Sequence, residues 1–263
     1  MGRSKISCTG AAARHPKLHR SADYVDDSRV RRKRQESITE ANAGVAGDFL
    51  RAYYDAGHVV QVGRTWKDTW WMGHRLQKLP TDLWLYQEIL FEHRPEYIVE
   101  TGTAFGGSAL FLANVCDLLG AGQVITIDID DWDVEVAGYS GRPAHPRISY
   151  VRGSSVDPSI VSDVRSRIPD GASVMVILDS DHSYDHVAAE LAVYAPMVTS
   201  GQFLVVEDTM LNGHPVHADF GPGPMEAVDD FLAKSTPFVL DPLGDKFLVS
   251  FNPRGYLRRL AQS

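Results

Sequence analysis

The apolar positions of the chain follow one pattern up to about residue 94 and another after it. In the first part, apolar side chains recur at helical spacing over 41–58 and 82–93. In the second part, short apolar runs alternate with helical stretches. Runs that are apolar almost throughout are typical of parallel strands covered on both faces. Five such strands are predicted: Tyr97–Glu100, Gln123–Asp128, Ile148–Val151, Val174–Asp179 and Phe203–Glu207.

The predicted strands and helices alternate in the β-α-β order of a doubly wound sheet. The helices between the strands are predicted to start near Gly107, Ser155 and His182. Two later apolar runs, Thr236–Leu240 and Lys246–Phe251, predict an antiparallel hairpin. The predicted fold class is therefore α/β, a doubly wound Rossmann-like sheet with a C-terminal antiparallel hairpin and an N-terminal helical lid.

Charge separates the first 36 residues from the rest. They hold ten Lys and Arg against four Asp and Glu, a net +6, whereas the remainder carries −14 and the whole chain −8. A polar, basic arm of this kind predicts weak order, and an acidic body opposes binding to a phosphate backbone. We predict a weakly ordered arm over 1–45, a helical lid over 46–94 and a Rossmann-like core over 95–263.

The same composition limits the partners of the protein. No apolar run reaches the roughly 20 residues needed to cross a bilayer, and the basic N-terminus lacks the apolar core of a signal peptide. Two cysteines, Cys8 and Cys116, cannot build a disulfide framework. We expect a cytoplasmic homo-oligomer that acts on a small molecule, with no nucleic-acid or membrane partner.

A glycine-rich turn follows the first predicted strand, over residues 100–108. Glycines there let a ligand approach the backbone at the N-terminus of a helix, although tight strand-to-helix packing is the alternative. An acid at the end of the second strand can accept hydrogen bonds from both ribose hydroxyls. Small residues after the third strand can border an adenine, or Ser155 can cap a helix. The predicted cofactor contacts are Glu100, Gly102, Thr103, Gly106, Ser108, Asp128, Gly153, Ser154 and Ser155.

The spacing of the glycines separates two cofactor classes. A nicotinamide dinucleotide requires Gly-x-Gly-x-x-Gly, whereas the first two glycines here are Gly102 and Gly106. Glu100 would also place a negative charge where the pyrophosphate passes. Because a carboxylate suits the ammonium group of a methionine moiety, the turn favours S-adenosylmethionine over NAD.

Acidic residues end the fourth and fifth predicted strands. Asp179 follows one strand, and Glu207 and Asp208 follow the other. Adjacent strands lie about 4.8 Å apart, and three carboxylates this close repel one another unless a cation lies between them. An all-oxygen set favours Mg²⁺. We predict that these three acids bind Mg²⁺ and that His182 is the general base for a metal-acidified hydroxyl; solvated strand-end acids and a surface histidine are the alternatives.

Two segments outside the sheet are candidates for substrate contact. Trp66, Trp70 and Trp71 precede the sheet, where they either pack a helix against it or form a lid that keeps the site dry. The segment 212–224 is rich in polar and turn-forming residues, which suits either recognition of a hydroxylated ligand or an ordinary surface loop.

Several short motifs over about 66–260 jointly resemble the cephalosporin hydroxylase and rhamnosyl O-methyltransferase family. They are Lys78-x-Pro80-x-Asp82, Glu100-Thr101-Gly102 with Gly106-Gly107-Ser108, Asp179 through His182, Glu207-Asp208-Thr209, Gly221-Pro222-Gly223-Pro224 with Glu226-Ala227, and Asn252-Pro253-x-Gly255-Tyr256-Leu257. The resemblance implies a class I methyltransferase domain over 46–263, with S-adenosylmethionine and Mg²⁺ as cofactors.

The resemblance also implies methyl transfer to a sugar hydroxyl, such as that of a deoxysugar or rhamnose in an antibiotic. Catechol-type and macrolide sugar methyltransferases place the base three positions after the first metal acid, and Asp179 with His182 is similar to the histidine version. Asp181 is an extra acid that either assists His182 or binds substrate. Three rival functions stay open: methoxylation or hydroxylation of a cephalosporin-type β-lactam, NAD-dependent oxidoreduction, and a non-catalytic partner protein.

Overall fold

The computed structural model describes residues 40–58, 65–129, 141–234 and 236–261. Its six helices longer than four residues in this part of the chain are α1 (Glu40–His58), α2 (Pro80–His93), α3 (Gly107–Leu119), α4 (Pro158–Ser166), α5 (Tyr184–Tyr194) and α6 (Pro224–Ala233). Its strands are β1 (Trp70–Trp71), β2 (His74–Arg75), β3 (Tyr97–Thr101), β4 (Gln123–Asp128), β5 (Ile148–Arg152), β6 (Val174–Leu178), β7 (Phe203–Val206), β8 (Phe238–Leu240) and β9 (Tyr256–Arg259).

Among the described residues, seven strands form the central sheet in the order β5-β4-β3-β6-β7-β9-β8. The first five are mutually parallel, and β9 and β8 extend the sheet with antiparallel pairings. The strand order reverses at β3, and open α/β sheets bind ligands at such a reversal, beyond the carboxyl ends of the strands. The predicted doubly wound α/β class is confirmed.

Apolar layers cover both faces of the sheet. One layer packs α2 and α3 against the sheet through residues such as Ile89 and Phe111, and the other packs α5 and α6 through residues such as Leu191 and Val228. Strand β6 is buried at all five positions. Strand β6 is therefore occupied entirely by apolar packing, and its first acidic side chain, Asp179, comes directly after its end.

Two of the three helix starts predicted between the strands differ from the structure. The helix predicted near Ser155 begins at Pro158, and its N-cap is Asp157, whose carboxylate accepts a hydrogen bond from the Ser159 N–H at 2.7 Å. Ser155 is therefore not the cap. The helix predicted near His182 begins at Tyr184. These shifts leave polar loop residues at the carboxyl edge of the sheet.

The predicted second hairpin strand, Lys246–Phe251, is wrong. The antiparallel partner of β8 is β9, and a 3₁₀ helix over Pro242–Asp245 intervenes. Leu248 has a φ of 64°, which interrupts extended backbone. The Phe251 N–H donates to the Asp82 carboxylate at 2.9 Å rather than to a neighbouring strand. This apolar run therefore contacts the first turn of α2 and does not pair as a strand of the sheet.

The predicted N-terminal arm lies mostly outside the described residues, because the structure describes the chain only from residue 40. Helix α1 begins at Glu40 and therefore crosses the boundary predicted between the arm and the helical lid. The lid also contains α2 and, between the two helices, a short β1–β2 hairpin that the apolar pattern did not predict. Among the described residues, no helix combines the length and apolarity needed to cross a membrane.

Candidate active site

A cavity of about 570 Å³ opens at the carboxyl ends of the parallel strands, where the strand order reverses. Its size lies within the usual range for small-molecule sites. Seven of the nine predicted cofactor contacts line it, together with three predicted catalytic or metal residues. They are Gly102, Thr103, Ser108, Asp128, Gly153, Ser154 and Ser155, with Asp179, His182 and Asp208. The structure thus places most of the predicted cofactor contacts in the same cavity as the predicted catalytic residues and two of the predicted metal ligands.

Asp128, the acid predicted to bind the ribose hydroxyls, accepts hydrogen bonds from two residues. Its Oδ2 accepts hydrogen bonds from the Ala104 N–H at 2.8 Å and from the Arg142 Nη2 at 3.0 Å. The Nε of Arg142 also donates to the Ala104 carbonyl at 2.8 Å. Sequence reasoning missed Arg142, because nothing in its local sequence marks it as a partner of β4. The carboxylate is therefore fixed before any ligand binds.

Glu100 and Gly106 do not line the cavity. Glu100 is fully buried, and its Oε2 accepts a hydrogen bond from the Thr126 hydroxyl at 2.7 Å. Burial raises the pKa of Glu100, while Lys78 acts in the opposite direction. Gly106 is the N-cap of α3. Contact of Glu100 and Gly106 with a cofactor stays a prediction.

Gly102 is required for a reason that the sequence did not reveal. Its φ is 81°, and a Cβ at this position would lie 1.8 Å from the backbone oxygen of Asp179. Only glycine allows so close an approach between the turn after β3 and the end of β6. Gly102 therefore allows the turn after β3 to pack against the end of β6, at Asp179, and also lines the cavity.

Asp179, His182 and Asp208 form a cluster that could hold a metal ion. Each offers one ligand atom, and these atoms lie within 4.8 Å of one another. Asp179 follows β6, Asp208 follows β7, and His182 Nε2 lies 3.1 Å from Asp208 Oδ2. Burial, with Glu207 nearby, raises the pKa of both aspartates, so bound positive charge would stabilise their ionised forms.

Glu207 is not part of this cluster. Its Oε1 accepts hydrogen bonds from the Lys78 Nζ at 2.7 Å and from the Tyr86 hydroxyl. The cluster in this structure therefore consists of Asp179, Asp208 and His182. The sequence had predicted Asp179, Asp208 and Glu207. Glu207 as a metal ligand stays a prediction.

Lys78 is a buried cation beside the cluster. Its Nζ lies 2.6 Å from Asp179 Oδ2, and its side chain is 6% exposed. Burial lowers the pKa of Lys78, but Asp179, Glu207 and Glu100 outweigh it and raise that pKa well above its ordinary value. Lys78 therefore offsets one of the three negative charges at the strand ends. Sequence reasoning noted the motif that contains Lys78 but assigned it no role.

Asp181, the extra acid of the motif, has a local hydrogen bond. Its Oδ1 accepts from the Ser183 N–H at 2.8 Å, and this bond holds the pKa of Asp181 below its ordinary value. The residue is exposed and lines the cavity. The contact supports a turn-forming role before α5, in addition to the two predicted roles.

The three tryptophans have different environments. Trp66 lines the cavity and stacks on Tyr54, with ring centroids 5.6 Å apart. Trp71 packs edge-on against Phe111 and donates from its Nε1 to Asn114 at 2.9 Å. Trp70 is 47% exposed. A role in shielding the cavity is thus supported for Trp66, whereas Trp70 and Trp71 do not line this cavity and their part in a lid stays a prediction.

The polar segment 212–224 does not line this cavity. It is held instead by Glu226, whose Oε1 lies 2.8 Å from His214 Nε2 and 3.0 Å from Asn212 Nδ2. The Gly223 N–H donates to the other carboxylate oxygen at 2.8 Å. Although burial acts to raise it, the hydrogen bonds lower the pKa of Glu226 to about 2. This segment is therefore tied to the first turn of α6.

We predict that Glu226→Gln lowers the thermal unfolding midpoint at neutral pH but not in acid. Because the folded-state pKa is depressed to about 2, the stabilisation is present above the unfolded pKa of about 4.3. It is lost as the pH falls through the folded pKa. Unfolding midpoints of the wild type and the variant, measured from pH 7 to pH 2.5, should converge at the acid end. A constant difference across that range would contradict the assignment.

The reversed strand order, the cavity at the carboxyl edge and the acids at two strand ends are features of the class I methyltransferase fold. The chain belongs to the rhamnosyl O-methyltransferase/CmcI family, whose model matches residues 63–260. It is 39% identical over 191 residues to a rhamnosyl O-methyltransferase of Mycobacterium leprae (strain TN), covering 71% of this chain and 77% of that protein. A rhamnosyl O-methyltransferase of Mycobacterium tuberculosis (strain H37Rv) is 38% identical over 189 residues, covering 71% and 73%.

Solved structures agree on the fold. A CmcI structure whose description names Mg and SAM has a TM-score of 0.57 at 19% identity, covering 94% of this chain and 89% of that chain. A CmcI apo structure has a TM-score of 0.56 at 23% identity, covering 74% and 78%. The predicted family, fold and class of enzyme, an O-methyltransferase, are confirmed.

Proposed function

We propose that the protein uses S-adenosylmethionine and Mg²⁺ to methylate a hydroxyl of a rhamnose-type sugar on a small molecule. One observation carries this proposal: Asp179, His182 and Asp208 lie on the wall of the same cavity as the predicted cofactor contacts. The similarity to rhamnosyl O-methyltransferases supports the sugar acceptor. We further propose a cytoplasmic homo-oligomer whose acceptor is a deoxysugar in antibiotic biosynthesis, such as those of the calicheamicin pathway.

The cavity suits S-adenosylmethionine in its charges as well as in its size. Asp128, fixed by Ala104 and Arg142, would accept hydrogen bonds from the ribose. Ser154 and Ser155 would border the adenine, and Glu100 would attract the ammonium group from behind the cavity wall. When bound, S-adenosylmethionine supplies the methyl group on a sulfonium sulfur.

The cluster at the strand ends suits a hard divalent cation. Asp179 and Asp208 would hold Mg²⁺ through carboxylate oxygens, which this ion prefers. Glu207, the neighbour of Asp208 in the chain, is the predicted third carboxylate. A cation held there supplies positive charge that stabilises the negative charge developing on an acceptor oxygen.

His182 is the residue best placed to receive a proton. It contacts the same cluster, with Nε2 3.1 Å from Asp208 Oδ2, and it lines the cavity. The proton of the acceptor hydroxyl would pass to a ring nitrogen of His182, and the alkoxide left behind would take the methyl group as the bond between the methyl carbon and sulfur breaks. The negative charge of the alkoxide and the positive charge of the sulfonium would cancel in that attack, so a dry cavity favours it. Trp66 and Phe105 supply apolar wall.

Trp66 gives the cavity an aromatic wall, and the ring of Tyr54, which does not itself line the cavity, stacks on Trp66. Their rings are stacked within 9° of parallel. Burial raises the pKa of Tyr54, and the negative charge of Asp208 raises it further. Aromatic side chains with a few polar groups are the usual lining of small-molecule sites. We infer that the ring of the acceptor sugar packs on this wall.

Trp66→Ala is therefore expected to raise the KM for the acceptor about tenfold, which corresponds to about 1.4 kcal/mol of lost contact. The dissociation constant of S-adenosylhomocysteine, measured by calorimetry, should stay within about twofold of the wild-type value if the wall serves the acceptor. Trp70→Ala, at an exposed position in the same segment, is the matched control and should leave both constants unchanged. An unchanged acceptor KM in Trp66→Ala would refute the proposed acceptor wall.

Calorimetry with two ligands tests the cofactor class. The protein should bind S-adenosylmethionine or S-adenosylhomocysteine and should show no heat of binding with NAD. Because the Asp128→Ala variant removes the predicted ribose acceptor, it should weaken S-adenosylhomocysteine binding. Binding of NAD in the absence of any affinity for the methyl donor would overturn the proposed function.

A further inference from the structure

Three of the short motifs meet beside the cluster of Asp179, His182 and Asp208: those that contain Asp82, Asp208 and Asn252. Residues 250–255 run against the turn that follows β7, in the region of Glu207-Asp208-Thr209. The Val206 N–H donates to the Gly255 carbonyl at 2.9 Å, and the Met210 N–H donates to the Phe251 carbonyl at 3.1 Å. The Thr209 hydroxyl donates to the Pro253 carbonyl at 2.6 Å. The turn that carries Asp208 is thus bonded on both sides to one segment.

The backbone of Asp208 has an unusual conformation. Its φ is 56°, in the left-handed region that non-glycine residues rarely adopt. Such a conformation persists only where surrounding contacts hold it. The N–H of Asp208 donates to the side-chain Oδ1 of Asn252 at 2.9 Å. Because Asn252 is fully buried, water does not readily replace this contact.

Asn252 is itself held by a buried chain of hydrogen bonds. Its backbone N–H donates to the Ser250 hydroxyl at 2.9 Å, and that hydroxyl donates to Asp82 Oδ1 at 2.6 Å. The other oxygen of Asp82 accepts from the Phe251 N–H at 2.9 Å. Asp82, Ser250 and Asn252 are 1%, 5% and 0% exposed. The chain links the first turn of α2 to the turn after β7.

We propose that Asn252, held by Ser250 and Asp82, is a positioning residue that fixes Asp208 in the orientation required to bind a divalent cation. This inference rests on the proposed function, since it takes the cluster of Asp179, His182 and Asp208 to be the cation site. Residues that orient a metal ligand without touching the ion commonly contribute about 10- to 100-fold in metal affinity. Asn252 acts here through the backbone of the ligand rather than through its carboxylate.

Binding of Mn²⁺, followed by the electron paramagnetic resonance signal of the free ion, tests this proposal. Asn252→Ala should weaken Mn²⁺ binding about 10- to 100-fold, while the dissociation constant of S-adenosylhomocysteine changes less than about twofold. Asn114→Ala removes a different partly buried asparagine, on α3, and should leave Mn²⁺ affinity unchanged. Asn252→Asp keeps an acceptor oxygen for the Asp208 N–H and should restore most of the lost affinity.

The possible failures are distinguishable. Absence of Mn²⁺ binding in the wild type would overturn the proposed metal site and this inference with it. Wild-type affinity in a folded Asn252→Ala protein would overturn the positioning role alone. If Asn252→Ala does not fold, Ser250→Ala decides, because it breaks the link to Asp82 one step further from Asp208. Weaker Mn²⁺ binding in Ser250→Ala supports the role, and unchanged binding overturns it.

Discussion

Asp179→Asn is expected to reduce methyl transfer by about 10³-fold or more while S-adenosylhomocysteine still binds. This loss corresponds to about 4 kcal/mol of transition-state stabilisation. Asp179 supplies one of the two carboxylates of the cluster, and its Oδ2 lies 2.6 Å from Lys78 Nζ. Removal of its charge weakens the attraction for a cation and leaves Lys78 with Glu207 as its remaining close carboxylate. Single-turnover rates with saturating Mg²⁺ and methyl donor measure the loss.

A nearby aspartate provides the control for Asp179→Asn. Asp185 lies in the first turn of α5 and is exposed, so Asp185→Asn removes the same charge from the same region without altering the cluster. It should keep close to wild-type activity. Thermal unfolding of both variants checks that the substitutions leave the fold intact. Substantial turnover in Asp179→Asn would refute the catalytic role of the cluster.

His182→Gln is expected to lower kcat by about 10² to 10⁴. The imidazole lies within 3.1 Å of Asp208 and lines the cavity, where it would take the proton of the acceptor hydroxyl. Glutamine is polar and similar in reach but is not a base at neutral pH. Both kcat and Mn²⁺ affinity should be measured, because the same position would also allow His182 to bind the metal. If His182 is the general base, His182→Gln should have a lower kcat and an unchanged Mn²⁺ affinity.

The smaller variant His182→Ala extends this test. If His182 is the base, added imidazole should partly restore its rate, since a diffusible base can occupy the space left by the side chain. A parallel loss of Mn²⁺ affinity and rate would instead identify His182 as a metal ligand. Wild-type kcat in His182→Gln would exclude the role of general base.

The parallel core was predictable because its strands are buried on both faces, which makes their apolar runs nearly continuous. Strand β6, with five buried residues, is the clearest case. The same signal failed at Lys246–Phe251, where apolar residues pack outside the sheet. Phe251 lies edge-on to Trp66, with ring centroids 6.1 Å apart. An apolar run reveals burial but not the surface that buries it.

The candidate site was predictable where chain position alone brings residues together. Acids that end adjacent parallel strands must meet, as Asp179 and Asp208 do. Glu207 directs its carboxylate to Lys78 and Tyr86 instead. Asp208 lies beyond β7 in a left-handed turn, with a φ of 56°, and the structure brings only Asp208 of the two adjacent acids into the cluster.

Contacts over long separations could not be read from local patterns. Lys78 lies 101 residues before Asp179, and Asn252 lies 44 residues after Asp208. The short motifs that contain Lys78 and Asn252 were visible in the sequence. A motif does not show, however, which distant side chain each of its residues contacts. The buried network around the cluster therefore required the structure.

Transfer of a labelled methyl group from S-adenosylmethionine to a rhamnosylated acceptor, with Mg²⁺ and with a chelator, tests the central claim most directly. The proposed function predicts label in a sugar methyl ether when Mg²⁺ is present, and loss of that product in chelator with recovery on adding Mg²⁺ back. Full methyl transfer in chelator would contradict it.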